Sequence, residues 1–348
     1  LDREDQDMHA AVLTEYGKPL TLESVSVPEP LGDEVLIEVL ACGVCHSGLH
    51  IADGDLPGFR AVTKHRVIPG HEVVGRVVRC GPSVTNLQVG DRIGVPWLFR
   101  ACGVCEQCQE GNENLCRQDA AVTGMTVDGG YAQFMCANSR YAVPIPRSLR
   151  DEEAAPLLCA GVTSYRALRK AGVVAGQRVA IFGVGGLGHL ALQLARAMGA
   201  EVFALDISEE KLTFARELGA EHVVNVADPD ALKSLRRRGG VHVAVVTSAA
   251  QAAYNAALKA LRPAGTLCVV GLPPEALQFQ ALALVSSEAR IVGSAVGTRE
   301  DLRAVLELAA EGRLRCRVDV RPLSHINDVL AAMRRGAIQG RVVIDPRR

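Results

Sequence analysis

Short apolar runs, separated by turns that contain glycine and proline, dominate the first 160 residues of the chain. Runs of β-branched and aliphatic residues at 35–40, 71–79 and 92–95 predict strands. The pairs Gly81-Pro82 and Gly90-Asp91 predict turns between them. This pattern indicates an irregular all-β domain whose cysteine and histidine residues lie in loops.

Near residue 160 the pattern changes to strands that alternate with amphipathic helices. A buried-strand run at 178–182 precedes a helix in which Leu187, Leu190 and Leu194 recur at three- and four-residue spacing, and Gly199 ends that helix. Further strands are predicted at 202–206, 223–226, 241–246, 266–270, 290–293 and 341–344, and further helices after the capping residue Ser208 and at 300–310. Regular alternation of strand and helix predicts an α/β fold with a doubly wound parallel sheet.

Length and charge narrow the class of protein. A chain of 348 residues is long for one core, so two domains are expected. The 38 basic and 39 acidic residues nearly cancel, which gives no support to nucleic-acid binding. No apolar run reaches the ~18 residues of a membrane span. Residues 1–7 are acidic and polar, so we interpret them as an extension and not as a secretory signal, and we expect a soluble, cytoplasmic protein.

The distribution of the eleven cysteines predicts a metal site. Four of them fall within fifteen residues, at Cys102, Cys105, Cys108 and Cys116. Four thiolates close a tetrahedral shell around Zn²⁺ and leave no open position, so this site is predicted to be structural. Ordinary buried cysteines are the plain alternative. A zinc ribbon that binds nucleic acid is another, but the neighbouring Glu106, Glu110 and Glu113 would repel phosphate.

A glycine-rich loop follows the strand at 178–182 and opens the next helix, which is the context that a dinucleotide site requires. Its candidate cofactor-binding residues are Gly183, Gly185, Gly186, Leu187 and Gly188. Asp206 ends the second strand, where a carboxylate can bind the adenosine ribose hydroxyls and would repel a 2′-phosphate. NAD is therefore predicted rather than NADP, with a glycine turn that binds nothing as the alternative.

Three further segments carry possible metal ligands: Cys45-His46, Gly70-His71-Glu72 and Cys159. Each segment alone has a plain structural interpretation, as a turn, a strand start or a buried cysteine. Together they supply two thiolates and one imidazole, which would leave zinc an open fourth position for catalysis. The spacing does not establish that they converge.

These motifs, in this order, resemble those of the zinc-containing medium-chain alcohol dehydrogenases, and the resemblance covers nearly the whole chain. It rests on Gly43-Val44-Cys45-His46-Ser47, Gly70-His71-Glu72, the four cysteines, Asp128-Gly129-Gly130-Tyr131 and the glycine loop. It implies a β-rich GroES-like catalytic domain at 1–160, a Rossmann NAD-binding domain at 161–295 and a return to the catalytic domain at 296–348. It also implies reversible oxidation of small-molecule alcohols to aldehydes or ketones, and a homotetramer.

The resemblance implies roles for single residues. Cys45, His71 and Cys159 would bind the catalytic zinc, with Glu72 beside it. Ser47 would contact the alcohol oxygen and start a proton relay to His50. The remaining implied cofactor contacts are His46 and Arg341 at the pyrophosphate, Thr163 beside the nicotinamide and Lys211 beside the adenosine ribose. The alternatives are a polyol or formaldehyde dehydrogenase of the same fold and a non-catalytic nicotinamide-binding protein.

Two positions depart from the family pattern. Gly48 stands where the family commonly has an aspartate that orients the zinc-bound histidine, so zinc affinity or rate is expected to be lower. Leu56 stands where many relatives have a tryptophan, whereas the second pocket tryptophan corresponds to Trp97. A wider pocket that accepts medium-chain or aromatic primary alcohols is therefore predicted.

Overall fold

The computed structural model describes residues 7–228, 230–273 and 275–348, so the interpretation of residues 1–7 as an extension lies outside the described residues except at Asp7, which is the first residue of a strand. The chain forms two compact units. The first contains the described residues up to Cys159 together with Thr298–Ala310 and Cys316–Arg348, and the second contains the described residues of Ala160–Gly297 together with Glu311–Arg315. The sequence places the corresponding boundaries at 160/161 and 295/296. No helix within the described ranges combines the length and apolarity needed to cross a bilayer.

The amino-terminal part of the first unit is built mainly from strands. These are β1 (Asp7–Val12), β2 (Thr21–Ser26), β3 (Glu34–Gly43), β4 (Val73–Cys80), β5 (Arg92–Val95), β6 (Leu98–Arg100), β7 (Ala121–Val122), β8 (Phe134–Asn138) and β9 (Val143–Pro144). Its helices are α1 (His46–Asp53), α2 (Pro57–Arg60), α3 (Glu106–Gln109) and α4 (Asp151–Ala154), with 3-10 turns at Glu113–Leu115 and Ala155–Leu158. The predicted strands are present, but the prediction that the histidines lie in loops was wrong for α1, which carries His46 and His50.

The second unit alternates strand and helix. Its strands are β10 (Arg178–Phe182), β11 (Glu201–Asp206), β12 (His222–Asn225), β13 (Val241–Val246), β14 (Leu261–Val269) and β15 (Arg290–Gly293). Its helices are α5 (Ala160–Lys170), α6 (Gly188–Ala197), α7 (Glu209–Glu217), α8 (Ala231–Arg237), α9 (Gln251–Ala260) and α10 (Ala281–Ser287). The carboxyl-terminal part of the chain returns to the first unit with α11 (Arg299–Ala310), β16 (Val318–Pro322), the 3-10 turn Leu323–His325, α12 (Ile326–Arg334) and β17 (Arg341–Asp345).

Strand β3 organises the first unit because it pairs antiparallel with β4, β8 and β17. The main sheet runs in the order β16-β17-β3-β4-β5-β9, with β8 added beside β3. Alternate side chains of β3, such as Val35, Ile37 and Val39, enter the hydrophobic core. The carboxyl end of β3 leads directly into α1, so the sheet fixes where that helix begins.

The described strands of the second unit form one parallel sheet in the order β12-β11-β10-β13-β14-β15. This order reverses direction between β10 and β13, and the carboxyl ends of strands at such a reversal point are where open α/β sheets bind ligands. The glycine-rich loop follows β10 at this position. The predicted doubly wound parallel sheet is therefore confirmed.

Candidate active site

The structure brings Cys45, His71 and Cys159 together within the first unit. Cys45 immediately precedes α1, His71 lies just before β4, and Cys159 follows the turn Ala155–Leu158. The Gly43 N–H donates to the Glu72 carbonyl oxygen at 2.9 Å, which ties the His71 segment to the end of β3. Three remote stretches of chain converge here because β3 and β4, which pair in one sheet, bring Cys45 and His71 together, and the turn before Cys159 contacts the same two strands.

The distances among these side chains fit a zinc ion. The sulfur atoms of Cys45 and Cys159 lie 3.8 Å apart, and one ligand atom from each of Cys45, His71, Glu72 and Cys159 lies within 4.8 Å of the others. Two thiolates about 2.3 Å from a tetrahedral zinc ion would lie about 3.8 Å apart. Both ring nitrogens of His71 are buried and lack a well-formed hydrogen bond within the described residues. A metal ion would engage one of them.

The electrostatics of this cluster favour a thiolate at Cys45. A hydrogen bond from Cys159 is the largest influence that holds the pKa of Cys45 well below its usual range, and it outweighs desolvation. Burial raises the pKa of Glu72 to about 7, although the Arg341 guanidinium acts in the opposite direction. Deprotonated sulfur is the form that binds metal, so Cys45 already favours the ligand form, whereas the same hydrogen bond is the largest influence that raises the pKa of Cys159.

Glu72 and Arg341 form a buried ion pair beside these ligands, with exposed side-chain fractions of 0% and 3%. The predicted contact of Arg341 with the cofactor pyrophosphate stays a prediction. Glu72 already occupies one side of the Arg341 guanidinium. Gly43 explains why the Glu72 carboxylate fits here: a Cβ atom at Gly43 would lie 1.9 Å from Glu72 Oε2. Neither the ion pair nor the need for glycine at 43 was visible in the sequence.

Two aromatic side chains lie next to the cluster. The Trp97 ring meets the His71 ring edge-on with a centroid separation of 4.7 Å, and Phe59 packs against Trp97 at 5.7 Å. Leu56 is half-buried and immediately precedes α2, the short helix that carries Phe59. The predicted pocket residue Trp97 is therefore beside a predicted metal ligand, and Phe59 is an aromatic neighbour that the sequence did not single out.

Helix α1 presents the other predicted catalytic residues. His46 is exposed, Ser47 is half-buried, and the His50 side chain is 12% exposed with its Nδ1 atom 2.9 Å from both carboxylate oxygens of Asp55. The backbone at Gly48 is buried. Among the described residues, a Cβ atom at Gly48 would meet only the buried Tyr131 Oη, at 3.4 Å, and Tyr131 Oη has no hydrogen-bond partner. A larger side chain at position 48 would therefore find both space and a hydrogen-bond donor.

The second cluster contains the four cysteines predicted to bind a structural zinc, Cys102, Cys105, Cys108 and Cys116. The sulfur atoms of Cys102 and Cys108 lie 3.9 Å apart, again close to the separation that tetrahedral zinc requires. The backbone N–H groups of Cys105 and Val104 donate to the Cys102 sulfur. Desolvation opposes ionisation of Cys116, yet N–H donors led by that of Cys102 lower its pKa to about 6. The geometry of this lobe fits a closed four-sulfur site.

The glycine loop of the second unit has the geometry of a phosphate-binding turn. Gly183 has a positive φ of 95°, and a Cβ atom at Gly188 would lie 1.8 Å from the Gly183 carbonyl oxygen. At Gly185, by contrast, an added Cβ atom would meet nothing within 4 Å among the described residues. The first and last glycines therefore allow the tight turn and close packing, whereas Gly185 leaves its backbone open to a ligand.

Asp206 is tied to this loop. The Val184 N–H donates to its Oδ2 atom at 2.8 Å, and the N–H groups of Ile207 and Ser208 donate to Oδ1. An ionised carboxylate offers about four acceptor positions, so these three bonds leave room for a further one. Ser208 caps α7 by accepting from the Lys211 N–H, as predicted.

Near the start of α5, Thr163 is buried, and Ser164 donates to the Leu187 carbonyl oxygen at 3.1 Å.

Comparisons with known proteins agree with both units. Residues 32–147 match the family described as the alcohol dehydrogenase GroES-like domain, and residues 186–311 match the family described as zinc-binding dehydrogenase. An alcohol dehydrogenase of Geobacillus stearothermophilus is 48% identical over 339 residues, which are 97% of this chain and 99% of that protein.

Solved structures are similar over the same extent. The alcohol dehydrogenase of Aeropyrum pernix is 38% identical, with a TM-score of 0.90 over 97% of this chain and 100% of that chain. Acetophenone reductase of Geotrichum candidum, solved in complex with NAD, is 30% identical, with a TM-score of 0.89 over 99% of this chain and 98% of that chain. The expected activity, zinc-dependent oxidation of alcohols, is confirmed, as are zinc and a nicotinamide dinucleotide as its cofactors. With close relatives along almost its entire length, the chain belongs to the zinc-containing medium-chain alcohol dehydrogenase family.

Proposed function

We propose that this enzyme oxidises primary alcohols with NAD and that Cys45, His71 and Cys159 hold its catalytic zinc. The observation that carries the proposal is the 3.8 Å separation of two buried sulfur atoms beside a buried imidazole that makes no well-formed hydrogen bond to any described residue. Cys102, Cys105, Cys108 and Cys116 would hold a second, structural zinc. Residues 161–295 would act as the NAD-binding domain, and the flanking segments 1–160 and 296–348 would form the catalytic domain.

When bound, the zinc ion supplies Lewis acidity that can lower the pKa of a coordinated oxygen from about 15.7 to roughly 7, worth about 12 kcal/mol. The residues of the chain then have to bind, orient and deprotonate the substrate. Ser47 would accept the alcohol proton, and His50 would receive the proton and release it to solvent. Proton transfer of this kind contributes typically ~10²–10⁴-fold in rate. The proposed contacts with the cofactor are His46, Thr163, Lys211 and Arg341.

The preference for NAD over NADP rests on Asp206. Asp206 is 8% exposed, and its carboxylate already accepts three backbone hydrogen bonds, so the carboxylate is held at the end of β11. A fixed negative charge there would repel a 2′-phosphate. A kcat/KM with NADP that equals or exceeds that with NAD would contradict the assignment.

The substrate preference rests on the aromatic wall formed by Trp97 and Phe59 beside His71. Leu56 is smaller than tryptophan and would leave room for a longer or aromatic alcohol. The similar Geotrichum candidum enzyme is named as a reductase of an aromatic ketone, which supports a pocket of this kind. A kcat/KM that falls steadily from ethanol to hexanol and benzyl alcohol would contradict the proposal.

The decisive experiment replaces single cysteines and counts zinc per chain together with turnover. Cys45→Ala and Cys159→Ala should each lose one zinc ion and nearly all activity. Cys42→Ala is the matched control, because Cys42 is also buried and close to Cys45 in sequence but lies outside the ligand cluster. Either variant with ordinary activity and full zinc content would reject the ligand assignment.

The homotetramer and the cytoplasmic location stay predictions. All eleven cysteines lie within the described residues and none is in a disulfide, which supports a reducing compartment. Light scattering coupled to gel filtration measures the number of chains per particle directly, and a monomer would contradict the expected assembly.

A further inference from the structure

The contact between His50 and Asp55 at the end of α1 has no role in the function proposed above, although His50 itself does. The Nδ1 atom of His50 lies 2.9 Å from both Oδ1 and Oδ2 of Asp55. The His50 side chain is 12% exposed and that of Asp55 is 36% exposed, so the imidazole is mostly shielded while the carboxylate reaches solvent. The ring of His46 is its aromatic neighbour on the same helix, with a centroid separation of 6.3 Å and a tilt of 54°.

The local backbone explains why Asp55 reaches back to His50. Helix α1 ends at Asp53, and Gly54 follows in the left-handed conformation with φ 65° and ψ 23°. The Gly54 N–H donates to the His50 carbonyl oxygen at 2.9 Å, a common way to close a helix. A Cβ atom at Gly54 would lie 2.8 Å from the Tyr16 ring, so glycine is required both by φ and by space. The chain therefore turns sharply, and the residue after the turn faces the last helical turn.

We propose that Asp55 is a positioning residue that holds His50 in the tautomer and orientation needed to receive the substrate proton. This inference rests on the proposed relay through Ser47 and His50. An ionised carboxylate can only accept, so His50 Nδ1 must carry the hydrogen in this pair. The lone pair of the neutral ring is then on Nε2. The proton that leaves the alcohol would bind there to give an imidazolium, which would keep its Nδ1–H bond to the carboxylate of Asp55.

Without the carboxylate, the two tautomers of His50 would compete and the ring would be free to rotate. Asp55→Asn keeps the size of the side chain but removes its charge and offers a donor in place of one acceptor. We expect kcat/KM for alcohol oxidation to fall about 5-fold, which corresponds to ~1 kcal/mol and to the upper end for a partly exposed pair. Asp55→Glu, which restores a carboxylate, should recover part of the loss.

The test is a double-mutant cycle of Asp55→Asn and His50→Gln, with kcat/KM measured at saturating NAD on the zinc-loaded enzyme. If Asp55 acts through His50, Asp55→Asn should have no further effect in the His50→Gln background. Asp53→Asn is the matched control, because Asp53 lies two residues earlier and pairs with Arg334 and not with His50. It should leave kcat/KM unchanged.

The outcomes separate the two proposals. A His50→Gln variant with full activity would overturn the relay itself, and with it the role of Asp55. A slow His50→Gln variant combined with a fully active Asp55→Asn variant would overturn only the inference about Asp55. Equal effects of Asp55→Asn in both backgrounds would also overturn it, because they would indicate a general structural role.

Discussion

The buried pair of Glu72 and Arg341 allows a quantitative prediction. Both side chains are almost completely excluded from solvent, and the guanidinium donates to Glu72 Oε1. Arg341→Met would keep most of the buried volume but leave a carboxylate in the protein interior without its counter-charge. Breaking a buried ion pair from one side typically costs 3–5 kcal/mol. The size of this free-energy cost should depend on pH, because protonation of Glu72 removes its buried negative charge.

The sign follows from the pKa of Glu72, which burial raises from 4.5 to about 7 in the folded protein. A raised pKa means that the folded state holds a proton that the unfolded state releases. The associated stability is therefore fully present below pH 4.5 and is lost as the pH rises through about 7. Without Arg341 the desolvation remains and the pKa rises further, so the loss should continue above pH 7 at up to about 1.4 kcal/mol per pH unit. The cost of Arg341→Met should be small at pH 6 and approach ~3 kcal/mol near pH 9.

Thermal unfolding of the NAD-free protein, treated with a chelator to remove zinc, at several pH values tests this prediction, because a zinc ion beside Glu72 would itself lower the pKa of Glu72. A loss of ~3 kcal/mol would lower Tm by roughly 6–12 °C in a unit of this size. Arg334→Met is the control, since Arg334 pairs with Asp53 at a more exposed site and should cost at most ~1 kcal/mol with little pH dependence. Adding Glu72→Gln to Arg341→Met should restore most of the stability at high pH. A Tm penalty that stays constant from pH 6 to pH 9 would refute the reasoning.

Two further predictions concern the departures from the family pattern. Gly48→Asp should slow release of the catalytic zinc to a chelator by ~10–100-fold, because the family commonly has an aspartate here that orients the zinc-bound histidine, and the new side chain would lie beside Tyr131 Oη, which has no partner among the described residues. An unchanged release rate would contradict this. Leu56→Trp should narrow the pocket and lower kcat/KM for benzyl alcohol relative to ethanol by ~10-fold or more. If a substrate panel gives the same ratio of the two kcat/KM values, Leu56 does not line the pocket.

Much of the fold could be predicted from periodicity, since buried strands and amphipathic helices have different repeats. Helix α1 could not. Its eight residues include a serine, a glycine and two histidines, and no side chain of the described residues caps its amino terminus. Isolated helices of this length are unstable in water, so α1 depends on burial of Leu49, Ile51 and Ala52. Tertiary contacts of this kind leave no periodic signal in the sequence.

The two metal clusters also differ in how far the sequence alone predicts them. The four cysteines of the structural lobe lie within fifteen residues, so their spacing alone predicts a closed site. The catalytic set is separated by up to 114 residues, because a site that keeps an open position and excludes water must draw its walls from several elements. Its supporting contacts are more remote still: Gly43 makes room for Glu72, and Arg341 comes from the last strand. Each is an ordinary residue in its own segment, and only the fold gives it a partner. Asp55 and Arg341 are proposed to act through a neighbouring residue, so their roles follow from the structure and not from the sequence pattern. Substitution of these residues therefore tests the proposed site most sharply.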